Sequence, residues 1–366
     1  MHLERYWLAL SRSPFIGYKT IHRALDFFKS IEKIFLGTIA ELRLAGFNEK
    51  QINSIRNINW KSVDEDFAWI EKNKIQIITQ VDLCYPPLLK EIHDPPFILY
   101  VKGNANLLSS PQIAMVGTRN PTPSGKELAY QFAKELANAG LVITSGMALG
   151  IDGASHSGAL DSGKLGQTIA VLGTGLKYIY PKNHQRLAHE IIEKEGAILS
   201  EFPINTPPKP HNFPIRNRII SGLSLGLLVV EAALKSGSLI TARLSLEQNR
   251  DVFAIPGSIQ NPLSRGCHRL ISEGAKLVEN VQDILLELKF RSHGQPNIFP
   301  ISRQEPVDLD PTRERVLKQI GYEVTALDVI ILRSGLTPME VSSMLLPLEL
   351  EGYIQGVPGG FIRRSQ

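Results

Sequence analysis

The sequence predicts an α/β protein built on a doubly wound parallel sheet, and three observations predict it. Between Ile113 and Val278, short apolar runs alternate with stretches of helical periodicity. The runs are continuously apolar instead of alternating with polar residues, which marks strands buried on both faces. Each is followed by a loop, most of them carrying glycine. Strands of this kind, joined by helical crossovers of one hand, make a Rossmann-like core. A small all-α domain precedes it and a winged-helix domain follows.

Taken in order, residues 1–62 carry apolar stripes at helical spacing, broken at Pro14-Phe15-Ile16-Gly17 and Leu44-Ala45-Gly46-Phe47. A helical domain, SAM-like or helix-hairpin-helix-like, is expected there. Phe15-Ile16-Gly17-Tyr18-Lys19-Thr20 suits either a turn whose backbone N–H groups meet a DNA phosphate or a plain glycine turn between helices. Residues 63–290 form the extended Rossmann-like domain. A short αβ connector carrying Ile75-Gln76-Ile77-Ile78 and Phe97 to Val101 leads into it. The expected strands are Ile113–Val116, Leu141–Thr144, Thr168–Leu172, Ala197–Ser200, Leu227–Val230, Val252–Ile255 and Lys276–Val278. Residues 291–310, with Gly, Pro, Gln and Asn and no periodicity, read as a linker. In 311–366, Leu327 to Leu332, Thr337 to Leu350 and Gly352 to Ile362 read as helix, helix and β-hairpin, the outline of a winged helix. Thr337 is the expected N-cap, with Pro338 in the first helical position and Glu340 completing a capping box.

Composition agrees with this plan. A chain of 366 residues is too long for one ordinary core, and 43% hydrophobic residues suffice to fill two or three. No apolar run reaches the roughly 18 residues that span a bilayer, and Met1-His2-Leu3-Glu4-Arg5 does not open a signal peptide. A cytoplasmic protein is expected. Cys84 and Cys267 stand far apart and outside any Cys-x-x-Cys pair, so neither a disulfide framework nor a zinc site is indicated. A net charge of +4 and a pI of about 8.9 permit nucleic-acid binding without requiring it.

Ligands of doubly wound sheets bind outside the carboxyl ends of the strands, and there the unusual residues collect. The loops include Gly117-Thr118-Arg119-Asn120, Ser145-Gly146-Met147-Ala148-Leu149-Gly150-Ile151-Asp152, the stretch Gly173 to Lys182, Glu201-Phe202-Pro203, and Glu231 through Lys235-Ser236-Gly237-Ser238. His211-Asn212-Phe213-Pro214-Ile215-Arg216-Asn217-Arg218 adds two arginines just ahead of the apolar run from Ile219. Backbone donors, cations and tyrosines on one rim are what a nucleotide or a single strand requires. Lys235-Ser236-Gly237-Ser238 opens a helix at about Leu239 and serves as an anion site or as a cap. Dinucleotide binding is not indicated, because the first loop lacks Gly-x-Gly-x-x-Gly. Neither a P-loop nor His-x-x-x-His spacing occurs, and no cofactor or metal is expected. Asp152 and His156, one helical turn apart, suit either catalysis or, for Asp152, a cap on the helix carrying His156, and Glu201 and Glu231 suit either acids in a glycosidic cleavage or ion-pair partners that orient Arg216 or Arg218.

Gly117-Thr118-Arg119, the loop from Ser145 to Asp152, Tyr180-Pro181, Phe213-Pro214-x-Arg-Asn-Arg and Lys235-Ser236-Gly237-Ser238-Leu239-Ile240-Thr241 resemble, in order, the motifs of the bacterial DNA-processing protein A (DprA/Smf) family. The resemblance covers nearly the whole chain and is densest from about Ile113 to Val278. It implies a non-catalytic, single-stranded DNA-binding protein that dimerises through its Rossmann-like domain. Such a protein protects incoming DNA and loads the RecA recombinase on it during natural transformation. By the same resemblance Arg119 contacts phosphate, with Lys177 or Lys182 beside it, Tyr178 stacks on a base, and Arg216, Asn217 and Arg218 line the pocket. Gly117, Ser145, Gly146 and the Lys235-Ser236-Gly237-Ser238 turn complete the expected phosphate-binding set. The enzyme alternative is a nucleotide phosphoribohydrolase, whose Pro-Gly-Gly-x-Gly-Thr-x-x-Glu turn this chain lacks. A transcription factor reading DNA with the winged helix is a third possibility. The segment Pro338 to Leu350, however, carries Glu340 and Glu349 and no Lys or Arg.

Overall fold

A computed structural model describes residues 3–13, 15–163, 167–290 and 310–364. Two compact units are present. One comprises the N-terminal helices with the large sheet, the other Pro121–Leu128 together with the helices and hairpin from Pro311 onward.

The first unit opens with six helices, α1 (Glu4–Ser11), α2 (Tyr18–Phe28), α3 (Ile31–Leu36), α4 (Ile39–Leu44), α5 (Glu49–Arg56) and α6 (Trp60–Lys72). Local signals stop and start them. Thr38 and Asn48 close capping boxes with Glu41 and Gln51, satisfying N–H groups at the starts of α4 and α5. The boundary expected at 62/63 falls inside α6.

Strands β1 (Ile75–Thr79) and β2 (Ile98–Gly103), with α7 (Pro87–Lys90) between them, are antiparallel partners. There follow β3 (Gln112–Val116), α8 (Pro123–Ala139), β4 (Val142–Ser145), α9 (Ile151–Leu160), β5 (Thr168–Val171), α10 (Gln185–Glu193), β6 (Ala197–Ser200), α11 (Asn212–Gly222) and β7 (Gly226–Val229). The run ends with α12 (Ser238–Glu247), β8 (Asp251–Ala254), α13 (Arg265–Ser272), β9 (Lys276–Leu277) and α14 (Val281–Glu287). Every expected strand from Ile113 onward is present within about a residue of its expected ends. The order is β1-β2-β6-β5-β4-β3-β7-β8-β9, parallel from β3 onward. The chain steps outward from β3 to β6 and then returns to the other side of β3, so the winding reverses between β3 and β7. The connector is a correction to the expected plan: β2 pairs antiparallel with β6 and makes the connector part of the same sheet.

Both faces of the sheet are covered, as its continuous apolar strands require. Ile113 and Met115 belong to the core on one face, Ala114 and Val116 to the core on the other. A third cluster joins the N-terminal helices to the sheet. Tyr6, Trp7, Leu8 and Ile70 pack in one core with Ile98, Tyr100, Ala170 and Ile198. Polar contacts reinforce it: Ser11 Oγ lies 2.7 Å from the Tyr100 hydroxyl, and the buried Asp66 carboxylate takes a hydrogen bond from Asn205 at 2.6 Å and faces Arg12 at 3.3 Å.

The second unit contains α15 (Pro311–Leu317), α16 (Leu327–Ser334), α17 (Pro338–Leu350) and the hairpin β10 (Ile354–Val357) and β11 (Gly360–Arg363). The capping box at Thr337 forms as expected, with Thr337 N–H on Glu340 Oε2 at 2.7 Å. Val316, Ile320, Ile330, Val341, Leu345 and Leu348 form its own core, while Leu346 points to solvent. Of the expected linker, 291–309 lies outside the described residues.

A shared core makes the helices and the sheet one folding unit. Trp7→Ala should therefore lower the stability of both together by about 3–5 kcal/mol, the usual range for removing a buried aromatic. Urea unfolding followed by tryptophan fluorescence and by circular dichroism checks this. An early loss of the helices with the sheet still folded would show two separate cores.

Candidate functional site

At the carboxyl end of the sheet the crevice where the winding reverses is closed. Thr118 N–H donates to the Glu231 carbonyl at 2.8 Å, and a Cβ on Gly117 would come within 2.5 Å of Ile151 and 2.9 Å of Glu231 O. Gly117 thus serves close packing of α9 against the sheet and does not open onto a ligand. The pocket lies to one side, above β4 and β5, with a volume of about 70 Å3. Its walls come from the loop after β3 (Arg119), the loop after β4 (Met147, Ala148, Leu149), the end of β5 and its loop (Leu172, Gly173, Tyr180, Pro181), and α11 (Phe213, Arg216).

Arg216 forms the buried floor, only 5% exposed. Its Nη1 donates to the carbonyl of Val171 at the end of β5, and its Nε donates to Asn217 Oδ1 at 3.2 Å. Burial lowers the guanidinium to about 10, against the pull of Asp152, so it stays charged at neutral pH. The Phe213 ring centre lies 6.0 Å from the guanidinium carbon and 5.6 Å from the Tyr180 ring. Arg119, by contrast, is exposed. One buried cation, one exposed cation and two aromatic rings in a small cavity suit an anion attached to a flat group.

The loop after β4 is held in place by three side chains on successive residues. His156 Nε2 lies 2.5 Å from the Gly146 carbonyl, His184 Nδ1 lies 3.0 Å from the Met147 carbonyl, and Ala148 N–H donates to Asp152 Oδ2 at 3.2 Å. His156 is fully buried, and burial lowers it to about 4. The neutral ring then donates from Nε2 to Gly146, and its Nδ1 lies 2.7 Å from the Thr168 hydroxyl, whose oxygen is also 2.7 Å from the Ile143 carbonyl. Burial pushes the Asp152 carboxyl up to about 6, partly offset by Arg216, the Ala148 N–H and Arg119. The helix N-cap is Gly150, so Asp152 does not cap α9 as expected; it sits one residue inside and turns back to the loop.

The structure brings together only part of the expected set. Arg119 and Arg216 line the pocket, with Gly146 close beside the Arg216 guanidinium and Asn217 accepting from its Nε. Ser145 is fully buried, with its hydroxyl on the Met115 carbonyl at 2.6 Å. Arg218 faces elsewhere, in two parallel hydrogen bonds of 2.6 Å with Glu201 and at 3.6 Å from Asp94. Glu201 does orient an arginine, and it is Arg218. Lys177 and Lys182 are both exposed; Lys177 binds Asn205 at 2.8 Å and lies 3.7 Å from Asp66 and 5.0 Å from the Trp69 ring. Tyr178 is exposed but does not line the pocket; Tyr180 does. The Lys235-Ser236-Gly237-Ser238 turn starts α12 at Ser238, with Ser236 Oγ 2.6 Å from Ser238 Oγ, and stands at the end of β7 on the far side of β3. Lys235 is exposed there. Phe213, His184 and the Met147–Leu149 wall were not singled out as site residues from sequence. The signal available for them was the glycine-flanked loop and the phenylalanine one helical turn before Arg216.

The family model for DNA recombination-mediator protein A matches residues 76–289, and that for the DprA winged helix domain matches residues 300–360. The chain is 45% identical over 326 residues to Protein Smf of Escherichia coli, covering 88% of this chain and 86% of that one. A crystal structure of DNA processing protein A from Streptococcus pneumoniae superposes with a TM-score of 0.68 at 39% identity, covering 77% of this chain and 97% of that one. DNA processing protein A from Helicobacter pylori, whose structure describes a single-stranded DNA binding mode, matches with a TM-score of 0.52 at 34% identity, over 58% of this chain and 96% of that one.

The two buried groups behind the pocket have opposite linkage to pH. His156, held at about 4 in the fold, makes the protein lose stability as pH falls from its free value of 6.5 toward 4. Asp152, held at about 6, makes it gain stability as pH falls from 6 toward 3.8. Each effect is on the order of 3 kcal/mol when complete. Compared with wild type, His156→Gln should therefore become relatively more stable between pH 6.5 and 4 and Asp152→Asn relatively less stable. Urea midpoints measured across that range check both slopes, and parallel curves for all three proteins would contradict the burial argument.

Proposed function

Since the chain belongs to the DNA recombination-mediator protein A family, we propose that it binds single-stranded DNA, with little sequence preference, in the pocket between Arg119, Arg216, Tyr180 and Phe213. The observation that carries this reading is the buried Arg216, a fixed cation beneath two aromatic rings. A phosphate seated on Arg216 and Arg119 places its base near Tyr180 and Phe213, and neither contact reads a base edge. Lys182 and Lys235, both exposed at the same end of the sheet, extend the cationic rim on either side.

The role that goes with this binding is protection of incoming DNA and loading of RecA on it in natural transformation and recombination. The protein acts in the cytoplasm as a homodimer formed through the Rossmann-like domain. No catalysis is part of the proposal: Glu201 is tied to Arg218, and Asp152 stands behind the loop wall with its carboxylate on Ala148 N–H. The winged helix is a protein-contact or regulatory module. Its third helix, α17, carries no Lys or Arg and exposes Met339, Leu346 and Leu350.

Binding of a labelled homopolymer strand should fall steeply with salt, and duplex should bind more weakly. Arg216→Ala and Arg119→Ala should each weaken the single strand by about 1–3 kcal/mol in folded protein. Arg218→Ala should mainly reduce stability. A flat salt dependence, or undiminished affinity in both pocket variants, would place the site elsewhere. Chain ended at about residue 305 should keep most of its affinity; losing nearly all of it would make the winged helix the primary reader. Nucleation of RecA on strands coated with single-strand-binding protein tests the loading step. Incubation with nucleoside monophosphates should release no base, and release would favour the phosphoribohydrolase alternative.

A further inference from the structure

The residue behind the pocket wall has a role that depends on the proposed single-strand site. A Cβ placed on Gly146 would meet Asp152 Oδ2 at 2.5 Å and the two terminal nitrogens of Arg216 at 2.8 and 2.9 Å. The carboxylate and the guanidinium therefore converge on the same Cα, while the guanidinium also lines the pocket. The carboxylate is buried, 7% exposed, and accepts the N–H of Ala148, itself a pocket residue. We propose that a phosphate of the bound strand enters this pocket together with one proton taken up by the Asp152 carboxyl.

In the empty pocket, Arg216 from α11 and Arg119 from the loop after β3 favour the ionised carboxylate, and burial opposes them. The Ala148 N–H adds a hydrogen bond to it. These balance with the carboxyl at about 6, mostly ionised at neutral pH. A phosphate on the two arginines cancels the charge that holds the carboxylate ionised and adds a negative charge of its own, while the burial remains. The carboxyl then binds a proton more readily. Linkage is reciprocal, so a protonated Asp152 must hold the phosphate more tightly. The other titratable groups at this wall are His184, whose ring lies against Gly153 and bonds the Met147 carbonyl, and His156, which is buried and neutral on the same helix as Asp152.

The test is affinity of the full chain for an oligothymidylate at constant ionic strength from pH 8.5 to 5.5. Wild type should bind more tightly as pH falls, approaching about tenfold per pH unit at its steepest. Asp152→Asn, which keeps an oxygen for the Ala148 N–H, should lose most of this slope and bind at pH 8 about as tightly as wild type does near pH 6. Calorimetry of wild type in two buffers of different ionisation enthalpy gives the proton count directly and needs no variant; uptake of up to one proton at pH 7 is expected. Zero uptake, or the same slope in Asp152→Asn as in wild type, overturns the linkage. A chain that binds no single strand at any pH overturns the functional reading itself, a result distinct from tight but pH-independent binding.

Discussion

A guanidinium shut away from water must have acceptors and compensating charge around it, and Arg216 imposes that demand on everything near the pocket. The Val171 carbonyl lies free at the end of β5 because the strand stops there, and Arg216 takes it. Asn217 supplies a second acceptor from the next residue. Gly146 lets the loop after β4 approach so closely that a side chain there would strike both the arginine and Asp152. The loop is then fixed by His156, His184 and Asp152, one residue after another. Strand end, helix and loop are organised around one buried charge. The balancing acid lies behind the wall, and so the open side of the arginine keeps its charge for an anion.

Much of the sheet was legible in the sequence because strands buried on both faces have to be apolar throughout, and such runs stand out between amphipathic helices. The capping box at Thr337 was legible for a similar reason, since its chemistry is local. The pairing of β1 and β2 with the sheet was not. Nothing in Ile75–Thr79 or Ile98–Gly103 states that β2 lies beside β6, about a hundred residues on, because register depends on tertiary packing.

The site was legible by loop but not by residue. Arg216 and Arg218 look equivalent in sequence, yet on a helix residues two apart point about 200° from one another. One faces the pocket and the other meets Glu201 and Asp94. Lys177 and Tyr178 likewise lie outside the pocket lining. The loop after β5 packs against α6 near Lys177 and only reaches the pocket at Tyr180 and Pro181. Sequence spacing located the cations and aromatics; only the fold separates those that hold the structure from those left open.

The two kinds of end segment differ in how independent they are. The winged helix closes an apolar core of its own between α15, α16, α17 and β10. The N-terminal helices share their core with β2, β5 and β6, and Asp66 is tied to Arg12 at the end of α1 and to Asn205 in the loop after β6. In evolutionary terms the first is a detachable module, free to be gained, exchanged or lost between lineages at little cost to the rest. The second can change only in step with the strands beneath it.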